Sequence, residues 1–153
     1  MMYYTHLAFG LFTALLAIDF FNIKNKLVFV LIAVFFSIFP DIDETKSKIG
    51  KKYKWTSKII NFIFGHRGFL HAVYIPLVLF FIFYGINEEL GIAVLAGYFS
   101  HLFMDALTKK GIKPFNPLLN KRVNGFFKTG SLLEKMFFLV IIVLDLYLSL
   151  MYI

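Results

Sequence analysis

Five uninterrupted apolar runs constrain this chain more than anything else in it: residues 1–21, 27–39, 72–86, 90–107 and 136–153. A helix that crosses a bilayer needs about 20 apolar residues, with a range of about 17 to 25, so each run is a candidate membrane helix. The second and third are short and must borrow flanking residues. Helices that stop early leave their polar ends below the headgroups, where irregular backbone survives only around a protein-lined cavity. At 59% hydrophobic residues and a mean hydropathy of +0.77, a chain of 153 residues has more apolar surface than a soluble domain of that size can hide. The expectation is one integral membrane domain over residues 1–153. Its fold class is all-α, a polytopic membrane helical bundle of about five membrane helices plus an interfacial amphipathic helix.

The start, Met1-Met2-Tyr3-Tyr4-Thr5-His6, carries no basic residue, and no small-residue cleavage site closes the first run, so that run is expected to remain. Five spans place the N-terminus and the loops 44–65 and 109–130 on one side. Of the sixteen basic residues, all but Lys24 and Lys26 fall on that side. By the positive-inside rule it is cytoplasmic, and the C-terminus is outside. The net charge of +7 is thereby explained by topology, and nucleic acid is not an expected partner. Within the first loop, Lys51, Lys54, Ser57, Lys58 and Asn61 share one helical face, with Trp55, Ile59, Phe62 and Ile63 opposite. This stretch lies in the interface, held by anionic lipid, or packs as a surface helix. The loop 109–130, punctuated by Gly111, Pro114, Pro117 and Gly125, reads as irregular or partly strand-like.

Against this apolar background the ionisable residues stand out. His6, His66, His71 and His101, with Asp41, Asp43, Asp105 and Glu134, all lie near helix ends that the topology brings to the cytoplasmic face. Charged groups at membrane depth are expensive and tend to mark function. Asp41, Asp43 and Asp105 also sit at helix C-termini, where the macrodipole opposes negative charge by about 0.3 to 1 kcal/mol each. A divalent cation would compensate them, and mixed imidazole and carboxylate ligation suits zinc first, with manganese or iron as alternatives. Pairing with the abundant lysines is the competing explanation. The absence of cysteine excludes thiolate zinc sites and cysteine nucleophiles.

Spacing refines the set. His101 and Asp105 are four apart and stack on one helical face, with Gly97 one turn earlier leaving room. His66 and His71 are five apart, which an unbroken helix would separate by about 140 degrees, and Gly68 permits a break in the helix between them. That puts His66 in a turn and His71 in the first turn of the third span. In Pro40-Asp41-Ile42-Asp43, an extended backbone would aim both carboxylates the same way. Glu134 is either a ligand or the partner of Ser131 in a capping box. Asp145, deeper on nearly the same face, reads as a hydrogen-bonded acid in preference to a relay. Arg67 could hold a phosphate.

These residues in order resemble the YdjM-type family of inner-membrane proteins, described as metal-dependent hydrolases. The resemblance rests on Thr5-His6 with Gly10, Pro40-Asp41-Ile42-Asp43, His66-Arg67-Gly68 with His71, Gly97-Tyr98, Ser100-His101, Asp105, Thr108 with Gly111, and Pro114-Phe115, with Gly130-Ser131 and Glu134 following. It covers most of the chain and implies a small multi-span protein with a polar site made of those His and Asp residues. The His-x-x-x-Asp spacing is also similar to zinc phospholipase C and P1-type nuclease sites, which implies phosphoester chemistry.

The function expected is a membrane-bound, metal-dependent hydrolase acting at the cytoplasmic face of the inner membrane. His6, Asp41, Asp43, His66, His71, His101 and Asp105 are the metal ligands, with Asp43, Asp105, Glu134 and Arg67 as catalytic candidates. Its substrate would be a lipid, a lipid-linked ester or phosphoester, or a small molecule, with membrane lipids as partners. No G-x-S-x-G elbow supports a serine mechanism. The rival classes are a metal or proton transporter and a scaffold with a structural metal. Orientation is directly testable: single cysteines at Asn22 and Asn87 should react with a membrane-impermeant thiol reagent on intact cells, while those at Lys48 and Lys121 should not. The opposite labelling would invert the topology.

Overall fold

The computed structural model describes residues 1–43 and 70–152, in which the five runs become five helices. They are α1 (Tyr3–Phe20), α2 (Lys26–Phe36), α3 (Tyr74–Tyr84), α4 (Glu88–Ala106) and α5 (Leu132–Leu150), with a 3₁₀ turn over Phe39–Asp43 after α2. No strand forms among the described residues. The loop 109–130 carries only isolated bridges, Thr108 to Phe127 and Ile112 to Val123, consistent with its glycine and proline content. The amphipathic stretch 51–64 lies outside the described residues.

Local signals account for the boundaries. α1 stops where Asn22 adopts a left-handed φ of 50° and the Ile23 N–H donates to the Ile18 carbonyl at 3.0 Å, a C-terminal lock with Ile23 buried. α4 starts at Asn87, whose Oδ1 accepts the Leu90 N–H at 3.2 Å, and Glu88 and Glu89 suit the positive end of its dipole. Glu89 also accepts the Lys24 and Asn25 N–H groups at 2.8 and 3.2 Å, tying together the two turns at the end remote from the histidines.

α4 is the central element, packed against α1, α2 and α3, while α5 packs on α1. The helices alternate in direction. The starts of α1, α3 and α5 and the ends of α2 and α4 therefore converge, as expected. At the opposite end the core is apolar, built from Ala14, Leu15, Ile18, Phe29, Ala33 and Ile92. Two glycines set the spacing near the site. A Cβ on Gly97 would lie 2.0 Å from the Ala33 carbonyl oxygen, and one on Gly10 would lie 2.4 Å from Ser37 Cβ. The C-terminal end of α2 is thus held tightly against both α4 and α1.

Among the described helices, α1 alone is long and apolar enough to cross a membrane. α2 and α3, at 11 residues each, are only about 16 Å long. α4 and α5 have the length, at 19 residues each, but carry Glu88, Glu89 and Asp105, and Glu134, Lys135 and Asp145. Outward faces are nonetheless apolar: Leu31, Phe35, Phe81, Ile82, Val143 and Leu146 are all exposed.

The Gly97 contact predicts its own test. Gly97→Leu should lower thermal stability by about 1 to 3 kcal/mol or more, since backbone on the other helix cannot yield. Gly85→Ala, whose added carbon would meet only the helix's own backbone at 3.4 Å, should leave the melting temperature in detergent nearly unchanged.

Candidate metal centre

Five side chains from four segments meet at the convergent end: His6 of α1, Asp41 of the 3₁₀ turn, His71 just before α3, and His101 and Asp105 of α4. All are buried. His6 Nε2 is 3.3 Å from Asp105 Oδ1. His71 Nε2 lies 3.7 Å from Asp105 Oδ2, and His101 Nε2 lies 4.0 Å from that oxygen and 3.9 Å from Asp41 Oδ1. The two Nε2 atoms of His71 and His101 are 3.3 Å apart. The His6 and His101 rings stack, with centroids 4.0 Å apart and planes 16° from parallel.

Ser37 fixes the chemistry of His101. Its carbonyl oxygen is 2.8 Å from His101 Nδ1, and because a carbonyl can only accept, the proton belongs on Nδ1. That leaves the Nε2 lone pair directed at the cluster, the arrangement in which a backbone carbonyl orients a ligating imidazole. Two groupings could hold a metal ion, His6 with Asp41 and His101, and His71 with His101 and Asp105. A tetrahedral ion with bonds of about 2.1 Å needs donors about 3.4 Å apart. The His71 and His101 nitrogens meet that spacing at 3.3 Å, while Asp41 Oδ1 and Asp105 Oδ2, at 3.7 to 4.0 Å from the imidazole nitrogens, would have to draw in. Both groupings use His101, and one lone pair serves one ion. His6 Nδ1 is also buried, with no hydrogen-bond partner among the described residues.

The electrostatics are those of a buried polar site. Desolvation pushes the Asp41 carboxyl above the ordinary carboxylate range; His6 pulls it down, and the Asp105 charge adds to the rise. Asp105 is ion-paired with the Met1 amino group, so part of the compensation expected from a cation comes from the start of α1.

Several sequence expectations change on contact with the structure. Residues 39–43 form a 3₁₀ turn instead of extended chain: Pro40 has the φ of a first helical turn, and the Asp41 N–H bonds the Ile38 carbonyl at 3.2 Å. A step of about 120 degrees per residue removes the reason for Asp41 and Asp43 to align. The side chain of Asp43, and His66 and Arg67 entirely, lie outside the described residues. His71 occupies a turn ahead of α3, not its first turn, and the Val73 N–H, bonded to the Pro114 carbonyl at 2.9 Å, holds that turn in place.

Glu134 takes the capping geometry of its two alternatives. Its oxygens accept the Met2 and Gly130 N–H groups at 2.7 and 2.6 Å, and its own N–H points to Ser131 Oγ at 3.4 Å. Asp145 is buried, yet neither of its oxygens has a hydrogen-bond partner among the described residues, so the hydrogen-bonded acid expected there is not found. It lines an apolar groove of about 410 Å³ with Leu11, Phe138 and Ile142. The Ser37 carbonyl had no signal in the sequence, because every residue carries a backbone carbonyl.

The profile of the YdjM inner membrane protein family matches residues 1–152. Uncharacterized protein YvsG of Bacillus subtilis (strain 168) is 38% identical over 103 residues, which is 65% of this chain and 64% of that protein. Inner membrane protein YdjM of Escherichia coli (strain K12) and that of Shigella flexneri are each 37% identical over 87 residues, 52% of this chain and 44% of theirs. The chain thus spans less than two thirds of the relatives it matches. No solved structure matches it.

A shared His101 lone pair predicts about one equivalent of transition metal in the purified protein. His101→Ala should weaken binding by more than the about 10- to 100-fold that follows loss of an orienting partner. Glu134→Gln should retain the metal, since its oxygens face backbone N–H groups. Metal analysis together with circular dichroism checks all three, and full occupancy in a folded His101→Ala protein would dissolve the proposed set.

Proposed function

The chain belongs to the YdjM inner membrane protein family, and we propose that it is a polytopic membrane hydrolase whose divalent ion, zinc in the first instance, is held by His6, Asp41, His71, His101 and Asp105. The observation that carries this reading is the meeting of three imidazoles and two carboxylates, all buried, at one end of an otherwise apolar bundle. Membrane embedding of the whole bundle is supported by the exposed apolar residues on α2, α3 and α5, whose exposure to water would cost roughly 25 cal/mol per Å². The distribution of basic residues supports a cytoplasmic site and an external C-terminus.

A bound ion would supply Lewis acidity, lowering the pKa of water and polarising a phosphoryl or acyl oxygen. The chain's own residues do the rest. The Ser37 carbonyl keeps the proton of His101 on Nδ1, so its Nε2 stays available. Asp105 Oδ1, 3.3 Å from His6 Nε2, orients that ring, and its Oδ2 faces the His71 ring at 3.7 Å. Asp43 and Asp105 are the candidates to take a proton from the attacking water, and Arg67 is the candidate to hold a phosphoryl oxygen. His66 and Asp43 would extend the ligand set. A substrate entering from the bilayer, a lipid or lipid-linked ester or phosphoester, suits a site at headgroup depth.

Reconstituted protein incubated with a mixed lipid extract should release headgroup, phosphate or fatty acid detectable by mass spectrometry. Chelation and His71→Ala should each reduce that release by about 100-fold or more, the scale for losing a principal electrostatic group. Metal-dependent ion flux into the same vesicles with no product would replace the hydrolase with a transporter.

A further inference from the structure

The loop 109–130 contains Lys109, Lys110, Lys113, Lys121, Arg122 and Lys128 and no acidic residue. Its tips are apolar and unusually bare: Leu118 is 78% exposed, Phe126 64% and Leu119 60%. Exposed apolar side chains of this size, gathered in one loop, mark a surface made for an apolar partner. The loop is anchored to the site end of the bundle by backbone bonds. The Val73 N–H meets the Pro114 carbonyl at 2.9 Å, two residues from His71, and the Lys109 N–H meets the Phe127 carbonyl at 2.8 Å, four residues from Asp105. Beneath the exposed tips, Ile112 and Phe127 are buried, so the loop is a fixed platform. Next along the chain, at the start of α5, Leu132 and Leu133 are exposed as well.

We propose that this loop docks into the headgroup layer of an anionic leaflet, with Phe115, Leu118, Leu119 and Phe126 entering the acyl boundary and the surrounding bases meeting lipid phosphates. The chemistry commits to that occupant. Six bases without an acid need an anionic partner, while bare leucine and phenylalanine need an apolar one, and the interface of an anionic bilayer supplies both at once. Long basic side chains bury their stems in such a layer and keep their charges at the phosphates. The proposal rests on the membrane reading given above and adds to it the surface that would hold the metal cluster at headgroup level.

The test uses the full chain in vesicles of phosphatidylglycerol and phosphatidylcholine. The chain has a single tryptophan, so Trp55→Phe gives a silent background in which Leu118→Trp reports on the loop and Val143→Trp on the outer face of α5. Docking predicts blue-shifted emission from Leu118→Trp, quenched by lipids brominated near the top of their acyl chains. That quenching should fall when the vesicles are made of phosphatidylcholine alone or when Lys121→Glu and Arg122→Glu are added. Water-like emission from Leu118→Trp, with Val143→Trp still quenched by bromines deep in the bilayer, would overturn the docking and leave the membrane reading intact. A blue-shifted but unquenched Leu118→Trp would mean a second protein surface covers the loop, and would also overturn it. Loss of quenching at both positions would remove the membrane reading itself.

Discussion

The contact between Gly97 on α4 and the Ala33 carbonyl on α2 sets the geometry on which the polar cluster depends. Both helices run toward the site, so the contact repeats one turn later as the bond between His101 Nδ1 and the Ser37 carbonyl, at 2.8 Å. α1 runs the other way and fits the same register. Gly10 lies against Ser37, and one turn closer to the site His6 stacks on His101 with centroids 4.0 Å apart. Three helices are thereby locked at one level by two residues without side chains. A bulkier residue at either position would separate the helices and pull the imidazoles apart.

Five ionisable groups inside so small an apolar bundle would be unfavourable if each were alone. The alternating topology partly offsets this, because helix starts and helix ends lie side by side. Asp105, at the unfavourable end of α4, stands beside the start of α1 and is paired with the Met1 amino group. Glu134, in the first turn of α5, accepts the Met2 N–H and so satisfies a donor at the start of α1 as well as the Gly130 N–H of its own approach. The acids of one helix complete the unpaired ends of its neighbours. His71 and His101 are left with their Nε2 atoms 3.3 Å apart, an arrangement that a cation would stabilise.

Much of this was legible because apolar runs and alternation of direction are properties of the chain's pattern. The five helices fell in the five runs, and convergence of His6, Asp41, His71, His101 and Asp105 followed from counting reversals. What pattern could not deliver was backbone chemistry. The 3₁₀ turn at 39–43 competes with extended chain through local backbone bonds such as Asp41 N–H to the Ile38 carbonyl, which residue types do not announce. The choice of cap over ligand for Glu134 depended on where the Met2 N–H would lie, a tertiary fact. Apolar character was legible from composition for the bundle as a whole but less so helix by helix, since α4 and α5 carry charges at the very positions that build the site and its caps.

The distribution of polar groups along the bundle bears on which chemistry the fold can support. Transport through a bundle requires polar groups spaced across its depth. On α1 the residues between His6 and Asp19 are apolar except Thr13, whose hydroxyl is turned onto the Phe9 carbonyl of its own helix at 3.0 Å. On α5 the stretch between Lys135 and Asp145 is wholly apolar, about 15 Å of helix. On α4, Ser100 donates to the Gly97 carbonyl at 2.6 Å and Tyr98 to the Leu70 carbonyl at 2.8 Å. Asp145 lies deep but faces an apolar groove, away from the other acids. Among the described residues the polar chemistry is therefore concentrated at one end, with no continuous row of polar groups leading onward through the bundle.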